Sequence, residues 1–171
     1  MGRIWVYIGD LLARMLNVGR VTFTSELGIR KFDKDGKLVE DRGVVSRKVV
    51  TTAFVNLLVD ALQSTTGLNF DQFKYHDCGT GTGNEAVGDT GLGTPCGEAR
   101  EVGTQAEGAT ANIYKSVATH TFAGAFAITE HGLFNASSVG TLMDRSKFAA
   151  VNMGIGEKIE FTYQLTCTAG G

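Results

Sequence analysis

The apolar residues follow a helical period in one central segment of the chain. In SRKVVTTAFVNLLVDALQ, residues 46–63, they recur at spacings of three and four residues over four turns. The pattern predicts a helix over residues 47–63 with one side in the core, and Ser46 or Thr51 can cap its start. The stripe consists of Val49, Val50, Ala53, Phe54, Leu57, Leu58, Ala61 and Leu62.

Towards the C-terminus the pattern changes to the two-residue period of β-strands. Strand patterns cover residues 112–134, 140–153 and 157–168, and the last of them, EKIEFTYQLTCT, alternates most regularly. One apolar and one polar face indicate an antiparallel sheet that is buried on one side. We therefore expect a mainly β protein, an antiparallel β-sandwich of jelly-roll-like type with one core helix.

The N-terminal third has a separate character. Residues 3–16 carry an amphipathic pattern that predicts a short helix, and an Asp35-Gly36 turn between two apolar runs predicts a hairpin. These features suggest an N-terminal arm at residues 1–45, followed by a body of helix and β-sandwich at residues 46–171.

Composition and charge narrow the classes of partner. The 171 residues include 23 Gly and one Pro, which suits a β-protein with many tight turns. Residues 1–48 hold ten Lys and Arg against six Asp and Glu, whereas the rest holds six against twelve. The basic residues are interspersed with acidic ones, so we expect no nucleic-acid binding. No apolar run is long enough for a membrane span, so we expect no membrane insertion either.

The three cysteines fit no metal-ligand spacing. A bridge between Cys78 and Cys96 would close a glycine-rich loop, but three free, packed thiols in a reducing cytosol are the plainer interpretation. His76, Cys78 and His131 could bind zinc only if the fold brought them together, and no spacing motif supports that. We therefore expect no metal and no cofactor.

The polar segments offer no complete catalytic arrangement. Glu130 and His131 are neighbours in a predicted strand, so their side chains point to opposite faces and Glu130 cannot orient His131. Asp144-Arg145-Ser146 lacks a nucleophile motif, and we expect Arg145 to pair with an acid of a neighbouring strand or subunit. The glycine-rich CGTGTGNE, residues 78–85, resembles a phosphate cradle but lacks its lysine. We interpret it as a turn-rich surface connection, and we expect no catalytic residue.

Several segments resemble a family of small structural proteins of tailed bacteriophage virions. The distinctive stretches are YH…GTGT, ITEHGLF, GTLMDRS.F and a closing FTY.LT…GG, within roughly residues 40–171. The resemblance implies a non-enzymatic β-sandwich of the virion, assembled in the cytoplasm of the bacterial host. A capsid decoration or cement protein that binds the major capsid protein is the first expectation, and a tail or fibre protein is the alternative.

Two surfaces are candidates for binding in such a role. We expect the arm to attach the protein to other virion proteins, and the strand at 157–168 to contact other copies in a homo-oligomer, with a trimer as first expectation. The arm residues are Arg3, Ile4, Trp5, Ile8, Leu11, Leu12 and Met15, and the self-association residues are Arg145, Thr162, Gln164 and Thr166.

Two other functional classes remain open. The first is a glycan or small-molecule binding module with its site in the loop at residues 79–108. That loop has no aromatic residue between Tyr75 and Tyr114, which favours the structural role over a lectin-like one. The weakest alternative is a hydrolase that uses His131 with Glu130 or Asp144.

Overall fold

The computed structural model describes residues 21–47, 49–63 and 70–170, and nine strands dominate these residues. Within these ranges, one α-helix, α1 (Thr52–Gln63), and a single 3-10 turn (Phe70–Gln72) follow the second strand. The strands are β1 (Val21–Phe32), β2 (Leu38–Ser46), β3 (Tyr75–Gly79), β4 (Glu101–Val102), β5 (Thr104–Glu107), β6 (Ile113–Thr121), β7 (Phe126–Phe134), β8 (Leu142–Met153) and β9 (Lys158–Ala169).

The strands form two antiparallel sheets, which confirms the predicted fold class. The larger sheet has the order β2-β1-β9-β6-β5, and the smaller one has the order β4-β3-β7-β8. Their apolar faces meet in one core, as expected when each sheet has one apolar side. The largest wholly buried side chains in this core include Tyr163, Phe54, Phe73, Phe122, Phe161, Leu27, Ile29, Ile128, Leu133, Leu142 and Ile159.

The closing strand β9 lies in the middle of the larger sheet and not at its edge. It pairs with β1 along all twelve residues and with β6 along nine. Its backbone groups are therefore satisfied within the chain, and β9 cannot extend a sheet into another copy. Thr162, Gln164 and Thr166 alternate with buried neighbours and lie half-buried on the outer face of the sheet.

The predicted hairpin forms, but it belongs to the sandwich. Gly36, with φ at +82°, closes the turn between β1 and β2, and its amide donates to the carbonyl of Asp33 at 3.1 Å. The side chains of Leu27 and Ile29 in β1 are buried in the core. The division of the chain between an arm at 1–45 and a body at 46–171 therefore does not hold for residues 21–45.

The predicted N-terminal helix and the arm residues lie outside the described part of the chain. This concerns the helix at 3–16 and the side chains of Arg3, Ile4, Trp5, Ile8, Leu11, Leu12 and Met15.

Helix α1 begins five residues later than predicted because the residues before it close the edge of β8. Val50 forms a β-bridge with Asp144, and the amide of Thr51 donates to the carbonyl of Met143 at 2.9 Å. Thr51 then caps the helix, since its hydroxyl accepts the Phe54 amide at 3.2 Å. Only the first turns of the stripe reach the core, because Phe54 is buried whereas Leu62 is 83% exposed.

Candidate functional site

Glu130 and His131 point to opposite faces of β7, as the sequence predicts, and both side chains are wholly buried. His131 faces the larger sheet, where its ring lies 4.6 Å from the ring of Phe161 between centroids. Glu130 faces the glycine-rich loop that follows β3. The two residues therefore belong to separate polar clusters.

The carboxylate of Glu130 is held by a cradle of backbone amides, here called the glycine cradle. The amides of Gly81, Gly93 and Thr94 donate to its two oxygens at 2.9, 2.9 and 2.8 Å. Nε of Arg145 donates to it as well, at 2.8 Å. Burial alone would raise the pKa of Glu130, but the amides and the guanidinium outweigh burial and hold that pKa below its usual value.

Two glycines, Gly79 at the end of β3 and Gly81 in the loop, are required by this close approach. A Cβ atom at Gly81 would lie 2.3 Å from a carboxylate oxygen of Glu130, and one at Gly79 would lie 2.4 Å from the carbonyl oxygen of Thr94. Neither distance is compatible with a side chain. The loop does bind an anion in the manner of a phosphate cradle, but the anion is a carboxylate of the same chain.

Arg145 closes the cluster from β8 and is only 4% exposed. It forms ion pairs with Glu130 on the neighbouring strand and with Asp89 of the loop, at 2.7 and 2.9 Å. The expected pairing with a neighbouring-strand acid is thus present. A role for Arg145 in self-association is wrong, because its guanidinium is buried and already paired within the chain.

All three histidines of the protein lie buried between the sheets, although they come from three different strands. Nδ1 of His76 in β3 lies 2.9 Å from Nε2 of His131, and Nε2 of His76 lies 2.8 Å from the hydroxyl of Ser116. His120 in β6 packs against Phe161. We call His76, His120 and His131 the histidine cluster.

Burial keeps the histidine cluster neutral. It lowers the pKa of His76 to about 3 and that of His120 to about 4, and it holds the pKa of His131 well below its usual value. His76, Cys78 and His131, the three residues considered for zinc, do lie close together. However, His76 and His131 each have one ring nitrogen within hydrogen-bond distance of the other residue. Within the described residues, no group of three or more His, Cys, Asp or Glu is placed to hold a metal ion.

Asp144 lies in a third buried position, beside the start of the helix. The hydroxyl of Ser146 donates to it at 2.8 Å, and burial raises its pKa to about 6. Its nearest polar neighbours are therefore serines and not a histidine. The hydrolase alternative, which needs His131 beside Glu130 or Asp144, finds no such contact among the hydrogen bonds and ion pairs of the described chain.

An apolar hollow of about 320 Å³ opens between α1 and the larger sheet. Aromatic and aliphatic side chains form most of its wall, with a few polar groups at the rim. The described lining residues are Phe23, Phe54, Leu58, Asp71, Phe73, Gln105, Tyr114, Met143, Leu165 and Cys167.

The sequence identified Glu130, His131, Asp144 and Arg145 as notable but missed what binds them. Besides Arg145, the partners of Glu130 are backbone amides, which carry no side-chain signal, and the second acid that Arg145 binds, Asp89, lies more than fifty residues away from it. The only available signal was the density of glycine in residues 79–93, which is typical of close backbone approach to an anion.

Comparisons with known proteins leave the chain without an assigned relative: no family model, no curated protein and no solved structure matches it. In the part of the chain that the structure describes, no helix is both long and apolar enough to cross a membrane.

Proposed function

We propose that this protein is a non-enzymatic structural component of a tailed bacteriophage virion, a capsid decoration protein that binds the coat lattice and its own copies. The sequence resemblance suggests this role, and one structural observation supports it. Three of the four segments that carry the resemblance, residues 75–82, 128–134 and 140–148, come together in the smaller sheet and the glycine cradle, and the fourth begins in β9 of the larger sheet. They form the internal framework of the sandwich.

The chemistry of these segments is directed inward. The side chains of Glu130, His131 and Asp144 have no exposed area, whereas an acid–base catalyst must reach a proton on its substrate. The amides and Arg145 that contact Glu130 would have to leave before a substrate could bind it. This supports a scaffold, in which ion pairs fix loops, over an enzyme.

The outer face of the larger sheet is the surface that best suits contact between copies. Thr162, Gln164 and Thr166 form a polar row along β9 that carries no charge. Beyond β1, at the edge of the same sheet, strand β2 exposes Val39 and Val44. We propose that copies meet through this face, with a trimer as the first expectation.

Attachment to the particle is proposed for residues 1–18, which carry the arm residues and precede the sandwich. Deletion of residues 1–18 tests this. An attachment arm predicts near-normal melting together with lost binding to particles. A large fall in melting temperature with binding intact would assign the segment to the protein's own core.

The first experiment combines light scattering with binding to particles. The protein is sized over a range of concentrations and then sedimented with empty capsids and, separately, with tails. Binding to capsids supports the decoration role, and binding to tails alone supports the tail or fibre alternative. A strictly monomeric protein that binds neither particle would overturn the proposal.

A matched pair of variants tests the proposed face. Gln164→Arg places charge in the middle of the row on β9, whereas Val87→Arg places the same charge on an exposed loop position away from it. We expect the first variant to reduce self-association and the second to leave it unchanged. Equal behaviour of both would exclude the outer face as the contact.

A small-molecule binding module is the second candidate, and the apolar hollow beside α1 favours it. Its volume of about 320 Å³ falls at the lower end of ligand sites, and its wall is mostly apolar. Melting curves with a panel of fatty acids and aromatic compounds test for an occupant. A shift that disappears in Leu58→Trp, which fills the hollow, would support this function.

A further inference from the structure

Cys78 and Cys96 lie side by side where the glycine-rich loop returns to β3. Their sulfur atoms are 3.5 Å apart. The amide of Cys96 donates to the carbonyl of Cys78 at 3.0 Å, and the next residues, Gly79 and Pro95, form an antiparallel bridge. The two cysteines are therefore direct cross-strand neighbours.

This placement is compatible with the Cα separation of a disulfide. Directly opposed residues of an antiparallel pair have Cα atoms about 4.5–5.5 Å apart, within the range that disulfides span. Cys167 lies in β9 opposite Phe23, in the other sheet, and has no such neighbour in the described register. The structure thus distinguishes one thiol pair from the third thiol.

We propose that Cys78 and Cys96 are a redox site that closes to a disulfide by exchange with a small oxidised disulfide such as oxidised glutathione. The bond would fasten the glycine-rich loop, residues 79–95, to the end of β3. Cys78 and Cys96 are already neighbours, so the disulfide can form when the distance between their two sulfur atoms shortens.

The order of steps follows from access. Cys78 is wholly buried and Cys96 is half-buried, so the reagent meets Cys96 first. The hydrogen bond from the Cys78 thiol lowers the pKa of Cys96 to about 7, although burial acts in the opposite direction. The lowered pKa favours the thiolate form of Cys96, which is the attacking species.

The exchange balances without any further reactant. The Cys96 thiolate attacks one sulfur of oxidised glutathione, forms a mixed disulfide and releases one glutathione thiolate. Cys78 then attacks the Cys96 sulfur, its proton passing to the departing thiolate, and a second glutathione leaves. Two protein thiols are oxidised and one glutathione disulfide is reduced to two thiols.

The closed form stabilises the loop that holds Glu130. The amides of Gly81, Gly93 and Thr94 all belong to the segment that the bond would enclose. A cross-link reduces the freedom of this segment in the unfolded chain, which raises the melting temperature. In the proposed virion role, the bond would form after release from a reducing cytoplasm, but its formation by glutathione does not depend on that role.

The test uses the full-length protein, equilibrated with oxidised glutathione and then with dithiothreitol. We expect an oxidised monomer that has lost two hydrogens, a peptide map that joins Cys78 to Cys96, and a melting temperature higher by about 5–10 °C, reversed by the reductant. Cys167→Ser should behave like the unaltered protein. Cys96→Ser should lose both the cross-link and the reversible shift.

The peptide map of the unaltered protein decides the matter even if Cys96→Ser folds poorly. Stable glutathione adducts without a Cys78–Cys96 peptide would overturn the proposal. So would dimers linked through Cys167, or a cross-linked protein whose melting temperature does not rise.

Discussion

Nε and Nη2 of Arg145 lie 2.8 and 2.7 Å from the same carboxylate oxygen of Glu130, and neither side chain is more than 4% exposed. The pair joins β7 to β8, and the glycine cradle and Asp89 bind it from the loop. A buried ion pair contributes stability only when its remaining hydrogen-bonding groups are satisfied. Here the loop supplies those partners, so loop and sheet depend on each other.

Replacement of Glu130 by glutamine tests this dependence. Glu130→Gln leaves the Arg145 charge buried with only Asp89 as an acidic partner, and it turns an acceptor oxygen of the cradle into a donor. We expect a loss of about 3–5 kcal/mol in the free energy of unfolding, measured with urea. The control Glu107→Gln, at an exposed position of β5, should change it by less than about 0.5 kcal/mol. A comparable small change in both variants would contradict the structural role of the pair.

Two glycines separated by one residue should differ sharply. Gly81→Ala places a methyl group 2.3 Å from the Glu130 carboxylate, whereas Gly83→Ala meets no atom within 4 Å. We expect Gly81→Ala to cost about 1–3 kcal/mol through overpacking and Gly83→Ala to be close to neutral. Thermal melting of both proteins checks this. An equal effect of the two substitutions on the melting temperature would show that the glycine cradle accommodates the added methyl group without loss of stability.

Acid should destabilise the protein through the histidine cluster. The folded-state pKa values of these histidines lie below the unfolded value of 6.5, at about 3 for His76 and about 4 for His120. Their stabilising contribution is therefore complete above pH 6.5 and is lost as the pH falls towards the folded values. Asp144, with its pKa raised to about 6, opposes this trend, because its neutral form favours the folded state on acidification.

Protonation of three histidines destabilises the fold more than protonation of Asp144 stabilises it, so the protein should lose stability on acidification. We expect the free energy of unfolding to fall by about 3–6 kcal/mol between pH 6.5 and 5, measured by urea titration at each pH. His120→Gln should reduce the slope of the free energy of unfolding against pH, because about one proton fewer is taken up on unfolding. Thr119→Gln, at an exposed position of the same strand, should leave that slope unchanged. A flat profile over this range would exclude buried neutral histidines.

The helix stripe should be unequal along its length. Phe54 is 2% exposed and packs edge-on against Phe23 and Phe73, so Phe54→Ala should cost about 3–5 kcal/mol. Leu58 is only half-buried at the hollow, and we expect Leu58→Ala to cost about 1–2 kcal/mol, less than a fully buried leucine. Leu62→Ala, at an exposed position, serves as the control and should stay within about 0.5 kcal/mol. Equal losses at Phe54 and Leu58 would contradict this gradient.

The sequence alone determined the local structure well. Alternation predicted which side of β9 is buried, because successive side chains of a strand point to opposite faces. The same rule separated Glu130 from His131, and Asp35-Gly36 marked the turn between β1 and β2. Thr51 was foreseen as one of two possible caps for the helix. Each of these conclusions depends on residues within a few positions of one another.

Only the tertiary structure decided which strands became neighbours. β9 matched the pattern of an available edge strand, yet β1, more than 120 residues earlier, covers one side of it along its whole length. The histidine cluster and the glycine cradle were hidden for the same reason, since their members come from separate strands and loops. Periodicity encodes the face on which a side chain lies. It does not encode the partner across the sheet, because that partner is selected by the packing of the whole core and by the need of each buried polar group for a hydrogen bond.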